Sequence, residues 1–139
     1  VWRNYLVMGA RLQAAMNRQL QRDCGLSLAD YDVLVALSER GAMRIFELAE
    51  SLGWEQSRLS HQLRRMRDRA LVGRSGSAQD RRGATVDITG AGRAALAAAA
   101  PGHVRLVRSV LFDAITPGQL RALDTLTATV LTRLDDARA

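Results

Sequence analysis

The chain has 139 residues, 47% of them hydrophobic but only 4% aromatic, and a formal net charge of +6 from 20 basic and 14 acidic side chains. A single cysteine, Cys24, excludes an internal disulfide framework and fits a reducing cytoplasm. The longest stretch without a formal charge, the 11 residues Ala94 to Val104, excludes a membrane-spanning helix, which needs ~20. The length suits one domain with a core built mainly from Leu, Val and Ala.

In chain order, Trp2 to Asp23 carries apolar or small residues at Trp2, Leu6, Gly9, Leu12, Met16 and Leu20. Steps of three and four predict an amphipathic helix of about six turns. Arg3 and Arg11 interrupt its apolar character, so no secretory leader is expected. Its length suggests that part of it packs against another chain. Gly25 ends it, and Ser27 with Asp30 three residues on forms a capping box for a second helix through Leu37 to Gly41. Ala42 to Arg44 reads as a short extended connector. Ile45, Leu48, Ala49 and Leu52 mark a short third helix stopped by Gly53, and a fourth runs from Glu55, a favourable carboxylate at a helix start, to about Ala70. Helix, brief Gly turn, helix is the outline of a helix-turn-helix.

Leu71 to Ser75 and the alternating Ala84 to Ile88 then predict a two-stranded hairpin, with Val86 and Ile88 on one face and Thr85 and Asp87 on the other. Its polar loop, residues 76–83, carries Arg81 and Arg82. Thr89 caps an Ala-rich helix that Pro101-Gly102 is expected to kink or break. Helical spacing resumes at Val104. Thr116-Pro117, an N-cap followed by a first-turn Pro, starts a last helix through Leu134.

Charge is not spread evenly along these elements. Trp54 to Arg82 holds eight Arg against Glu55, Asp68 and Asp80, a net +5, whereas residues 1–53 are net zero and residues 83–139 net +1. Positive charge confined to one segment points to an anionic partner, nucleic acid first. A solvated helix face is the alternative on charge alone. All the basic residues are Arg, whose planar fork suits phosphates and guanine edges.

Geometry within the segment separates the two readings. At about 100° per residue, Leu63, Met66 and Ala70 fall within about 40° of Leu59, a narrow core-facing stripe. Ser57, His61, Arg64 and Asp68 lie opposite, flanked by Ser60 and Arg65. Hydroxyls, an imidazole and guanidinium groups are the side chains that bond base edges and phosphates. Arg81 and Arg82 near the hairpin tip are placed to reach phosphates or a narrow minor groove, with Asp80 orienting one of them.

Residues 48–92 resemble the winged helix-turn-helix of the MarR family of bacterial transcription regulators. The matching marks are Leu48-Ala49, Ser57 and Ser60, Leu63, Leu71-Val72, Asp80-Arg81-Arg82, and Ile88-Thr89 with Gly92. Ala70 departs from the pattern, since family members commonly have Gly before the Leu-Val pair. The order of the flanking helices also fits, so the resemblance covers the chain.

It implies a mainly α (α+β) fold in a single domain, residues 1–139. Residues 26–92 would form the winged helix-turn-helix lobe, and 1–25 with 93–136 the dimerisation helices. It also implies a homodimeric, cytoplasmic DNA-binding regulator, a repressor released by a small phenolic or antibiotic-like ligand, acting on a pseudo-palindromic operator in double-stranded DNA. Carried over by position, Ser57, Arg58, Ser60, His61, Arg64 and Arg65 are recognition-helix contacts, Arg81 and Arg82 wing contacts, and Arg74 a backbone contact.

Two alternatives stay open: a dimer of the same fold acting through protein contacts without DNA, and a thiol redox sensor using Cys24. Against the second, Asp23 sits beside Cys24 and there is no second cysteine to resolve an oxidised form. No cofactor, metal site or membrane association is expected, and no constellation suggests an enzyme. His61 and His103 lack partners at ligand spacing, and Ser60-His61 adjacency on a helix is not a nucleophile–base pair. His103, Trp2, Tyr5 and Tyr31 could line a ligand pocket, but aromatics in a thin core are more often simply core, so no ligand residue is assigned.

Overall fold

The computed structural model describes residues 1–76 and 84–139. The elements follow in the order α1 (Trp2–Cys24), α2 (Leu28–Arg40), β1 (Met43–Arg44), α3 (Ile45–Leu52), α4 (Gln56–Asp68), β2 (Val72–Ser75), β3 (Thr85–Ile88), α5 (Gly90–Val110) and α6 (Pro117–Arg138), with a 3-10 turn at Phe112–Ala114. They make a mainly helical winged helix-turn-helix. The chain forms two compact units, Val1–His103 and Val104–Ala139, and no described helix is long and apolar enough to cross a membrane.

The core of the first unit is aliphatic, as the scarcity of aromatics requires. Leu20, Val33, Leu34, Leu37, Leu48, Leu59, Leu63 and Met66 are fully buried. They gather the C-terminal half of α1 with α2, α3 and α4, and Val72, Val86 and Ile88 close the core from the sheet. The capping box at α2 forms as expected: Ser27 Oγ accepts from the Asp30 N–H at 3.0 Å, and Asp30 Oδ2 accepts from the Ser27 N–H at 2.9 Å. Asn17 Oδ1 on α1 takes the next orphan donor, the Leu28 N–H, at 2.8 Å. Gly53, at φ 71°, ends α3 in the left-handed conformation and makes the tight turn into α4.

The sheet is three-stranded and antiparallel, in the order β1-β3-β2. The expected hairpin is β2 and β3, with Val72 opposite Ile88 and Ser75 opposite Thr85. The connector expected at residues 42–44 supplies the third strand, Met43 pairing with Val86 and Arg44 with Thr85. As the alternation predicts, Val86 and Ile88 are buried and Asp87 is exposed.

Two expectations need correction. α4 ends at Asp68, and Ala70 lies beyond it at φ 59°, exposed and off the apolar stripe. The Ala70 N–H bonds Arg67 O at 2.9 Å and the Leu71 N–H bonds Met66 O at 3.0 Å. This is a Schellman cap with alanine in the left-handed position that glycine usually occupies. Glu55 is the N-cap of α4, the helix start that favours a carboxylate, and among the described residues it makes no side-chain capping hydrogen bond. Finally, Pro101 does not break α5, which runs on to Val110. Pro101 and Ala97 are both exposed, so the carbonyl that loses its donor faces water, while Ala99 at 0% exposure holds the helix to the core.

Thr89 joins the Ala70 turn to α5. Its hydroxyl donates to Ala70 O at 2.6 Å and accepts from the Gly92 N–H at 2.9 Å. Gly92 is required there, because a Cβ would sit 2.1 Å from Leu71 O.

The second unit comprises the end of α5, the 3-10 turn and α6. A capping box opens α6, with Thr116 Oγ1 accepting from the Gln119 N–H at 3.1 Å and Gln119 Oε1 from the Thr116 N–H at 2.8 Å. None of its residues is buried: Leu120, Leu126, Val130, Leu131 and Leu134 are between 43% and 60% exposed. Within the first unit the start of α1 is equally bare, with Trp2, Tyr5, Leu6 and Met8 exposed and Trp2 stacked on Tyr5 at 5.7 Å.

Candidate nucleic-acid interface

Helix α4 follows α3 across the Gly53 turn, and its burial pattern divides it sharply. Leu59, Leu63 and Met66 are at 0% exposure, whereas Ser57, Arg58, Ser60, His61, Arg64 and Arg65 are all exposed. The face read from helical spacing is therefore the solvent face. Arg74 on β2 is exposed as well. Asp80, Arg81 and Arg82, the three residues expected at the hairpin tip, lie outside the described residues.

The guanidinium groups are not equivalent. Arg58 lies over Trp54, its Cζ 4.2 Å from the ring centroid, a cation–π contact that orients it at the N-terminal end of α4. Arg65 Nη2 donates to Gln62 Oε1 at 2.9 Å. Arg69, itself exposed, is tied back to the scaffold, donating to Asp30 Oδ2 at 3.0 Å and to Gly25 O at 2.9 Å. Asp30 is 5% exposed, so Arg69 neutralises a buried carboxylate and belongs to the scaffold. Among the described residues, Ser57, Ser60, His61 and Arg64 make no side-chain hydrogen bond within the chain. Those groups remain available to base edges and phosphates.

The residues that hold this face were not apparent from spacing. Gln62 is 6% exposed and donates to Asp30 Oδ1. Its one signal was position, a polar residue about 60° from the centre of the apolar stripe. Trp54 was seen only as the start of the basic segment, and Asp30 only as a cap.

A second polar cluster lies where α1, α2 and α5 meet. The His103 ring sits 4.4 Å from that of Tyr31. Among the described residues, His103 Nδ1 and Gln19 Oε1 are buried without a hydrogen-bond partner, and Gln19 Nε2 lies 2.8 Å from where a Cβ on Gly102 would be. Burial lowers the His103 pKa below its ordinary value, partly offset by Asp32. Burial likewise raises that of Asp32, with His103 and then Arg58 pulling it back. Cys24, the last residue of α1, is half-buried against the core. Among the described residues, no group of three or more His, Cys, Asp or Glu is placed to hold a metal ion.

Comparison with known proteins places the chain. A family model described as MarR family matches residues 26–83. The crystal structure of AbsC, a MarR family transcriptional regulator from Streptomyces coelicolor, is 35% identical over 97% of this chain and 92% of its own, with a TM-score of 0.88. Sco3205, a MarR family transcriptional regulator from the same organism solved in complex with DNA, is 37% identical over 96% of this chain and 88% of its own, also at 0.88. The transcriptional regulator BldR from Sulfolobus solfataricus is 27% identical over 95% of this chain and 93% of its own, at 0.79. A search of curated proteins finds no match. With identity above 30% sustained along nearly the whole chain, and a winged helix-turn-helix that ends in an exposed Ser, His and Arg face, the chain belongs to the MarR family of transcriptional regulators.

Proposed function

We propose that this protein is a homodimeric, sequence-specific DNA-binding repressor that leaves its operator when a small phenolic ligand binds. The observation that carries the reading is the two-sided α4, whose Leu59, Leu63 and Met66 are fully buried beneath an open face of Ser57, Arg58, Ser60, His61, Arg64 and Arg65. A helix of that build fits a major groove and reads it from its N-terminal half. Sco3205, similarly folded and 37% identical, was solved in complex with DNA.

In this reading residues 26–92 form the DNA-binding lobe. Arg74 contacts the backbone, and Arg81 and Arg82, oriented by Asp80, reach the flanking minor groove. Residues 1–25 and 93–136 form the dimer interface. The bare apolar side chains of α6 and of the start of α1 support this, since exposed Leu, Val, Trp and Tyr in such number call for a covering surface. The protein works in the cytoplasm and carries out no catalysis.

Among the described residues, Gln19 Oε1 and His103 Nδ1 are buried without a hydrogen-bond partner beside the Tyr31 ring, so a ligand that pairs them has to open this cluster to reach them. That combination suits a small aromatic molecule whose hydroxyl donates to the amide oxygen or the ring nitrogen.

The test is to let the protein select fragments from its own genome, footprint the bound sites, and add candidate phenolics to the complexes. The expected footprint is a pseudo-palindrome with half-sites about one helical turn, roughly 10 bp, apart. If no fragment binds more tightly than random duplex at low salt, a role through protein contacts replaces this one. A stable monomer at micromolar concentration in sedimentation would contradict the dimer.

A further inference from the structure

Asp30 does more than cap α2. Its Oδ2 accepts from the Ser27 N–H at 2.9 Å and from Arg69 Nη1 at 3.0 Å, and its Oδ1 accepts from Gln62 Nε2. Gln62 in turn passes the connection outward, its Oε1 accepting from Arg65 Nη2 at 2.9 Å. Gln62 and Arg69 are seven residues apart, two turns along one side of α4, so both meet the same carboxylate. The Arg69 bonds to Asp30 and Gly25 suffice to fasten the end of α4 to the corner between α1 and α2. The Gln62–Arg65 bond adds nothing to that fastening, because both residues lie on α4. It ties one guanidinium nitrogen of Arg65 to the edge of the open face.

We propose that Asp30 and Gln62 are positioning residues for Arg65, a buried relay that sets how sharply the protein discriminates between DNA sequences although neither residue touches DNA. The inference rests on the reading of Arg65 as a DNA contact. Arg carries many rotamers, and one held in place by a buried amide loses less freedom on binding and presents its remaining donors in a fixed fork. Gln62 serves because a single amide offers a donor to Asp30 and an acceptor to Arg65. The buried network keeps each member satisfied, which makes one arrangement strongly preferred.

The experiment uses Gln62→Met, Arg65→Ala and the double variant. Methionine fills the buried space of Gln62, and Asp30 keeps Ser27 and Arg69 as partners, so the fold is expected to survive, with melting as the check. Affinities are measured at one salt concentration for a duplex that the wild-type protein selects from a random pool and for a scrambled duplex of the same composition. Arg65→Ala should reduce the ratio of the two affinities about 5- to 150-fold, as for loss of a base-reading arginine. Gln62→Met should reduce it about three- to tenfold with scrambled binding unchanged, and the double variant should be no worse than Arg65→Ala.

An unchanged ratio in Gln62→Met beside a reduced one in Arg65→Ala overturns the proposal and leaves the network purely structural. An unchanged ratio in Arg65→Ala removes Arg65 as a reader, and the relay falls with that reading. Should Gln62→Met fail to fold, Asp30→Asn, which keeps the volume and one acceptor, probes the relay from its other end. The same loss, non-additive with Arg65→Ala, is expected, and an unchanged ratio again overturns it.

Discussion

Replacing Ala70 by glycine should stabilise the protein. Ala70 is the sole described non-glycine residue with positive φ, at 59°. An L-residue in that conformation brings its Cβ against the following carbonyl, at a cost of roughly 1–2 kcal/mol. Glycine removes the clash but adds unfolded-state freedom worth about 0.4–1 kcal/mol. The hydrogen bonds of the turn run through backbone atoms, from the Ala70 and Leu71 N–H groups and to Ala70 O from Thr89, so they survive the change. The methyl group is exposed and takes no packing with it. The expected net gain is therefore about 0.5–1 kcal/mol, or a rise of about 2–4 °C in Tm for a chain of this size. Urea unfolding at fixed protein concentration reads it directly, since a self-associating chain shifts its midpoint with concentration. The midpoint should rise with an unchanged slope, and affinity for DNA should stay the same. A midpoint that stays put or falls at constant slope would refute the strain argument.

Other perturbations test other parts of the molecule. Gly92→Ala places a Cβ 2.1 Å from Leu71 O and 2.8 Å from Ile88 Cγ1, so it should destabilise by about 2–3 kcal/mol; a near-wild-type melting curve would show that the Thr89 turn yields easily. Arg64→Ala should cost on the order of 1–3 kcal/mol of specific binding, whereas equal losses on selected and random DNA would make Arg64 a phosphate contact. Arg82→Ala should lower the slope of log affinity against log salt by roughly one, and an unchanged slope with unchanged affinity would remove the wing from the mechanism. The last concerns pH. His103 is held neutral by burial below its ordinary 6.5, so its contribution to stability is present above that value and lost as pH falls through the lowered one. Asp32, raised by burial from 3.8, acts in the opposite sense, its contribution fading as pH rises through the raised value. Stability should therefore fall less steeply from pH 7 to 5 in His103→Phe, which keeps a ring against Tyr31, than in the wild type. Identical profiles would exclude His103 as the titrating group.

Local rules determine much of this protein without reference to its fold. Helical spacing placed Leu59, Leu63 and Met66 inward and Ser57, His61 and Arg64 outward, because a helix joined to a core has one buried side and the period of 3.6 says which residues share it. The capping boxes at Ser27 and Thr116 and the alternation at Val86 and Ile88 were legible for the same reason, each being settled within a few residues of chain.

What only tertiary structure decided involves partners distant in sequence. β1 is two residues long, too short to announce itself, and exists because β3 offers it an edge. Pro101 is tolerated in α5 because burial of Ala99 outweighs one lost bond whose carbonyl faces water. The eight arginines of the basic segment looked alike, and their division came from residues that fold against them. Arg69 pairs with a buried carboxylate 39 positions away, Arg58 rests on Trp54, and Arg65 bonds a buried glutamine. Charge can be counted along a chain, but which charges stay free depends on which buried groups need them. That need arises only once α2 and α4 have packed together.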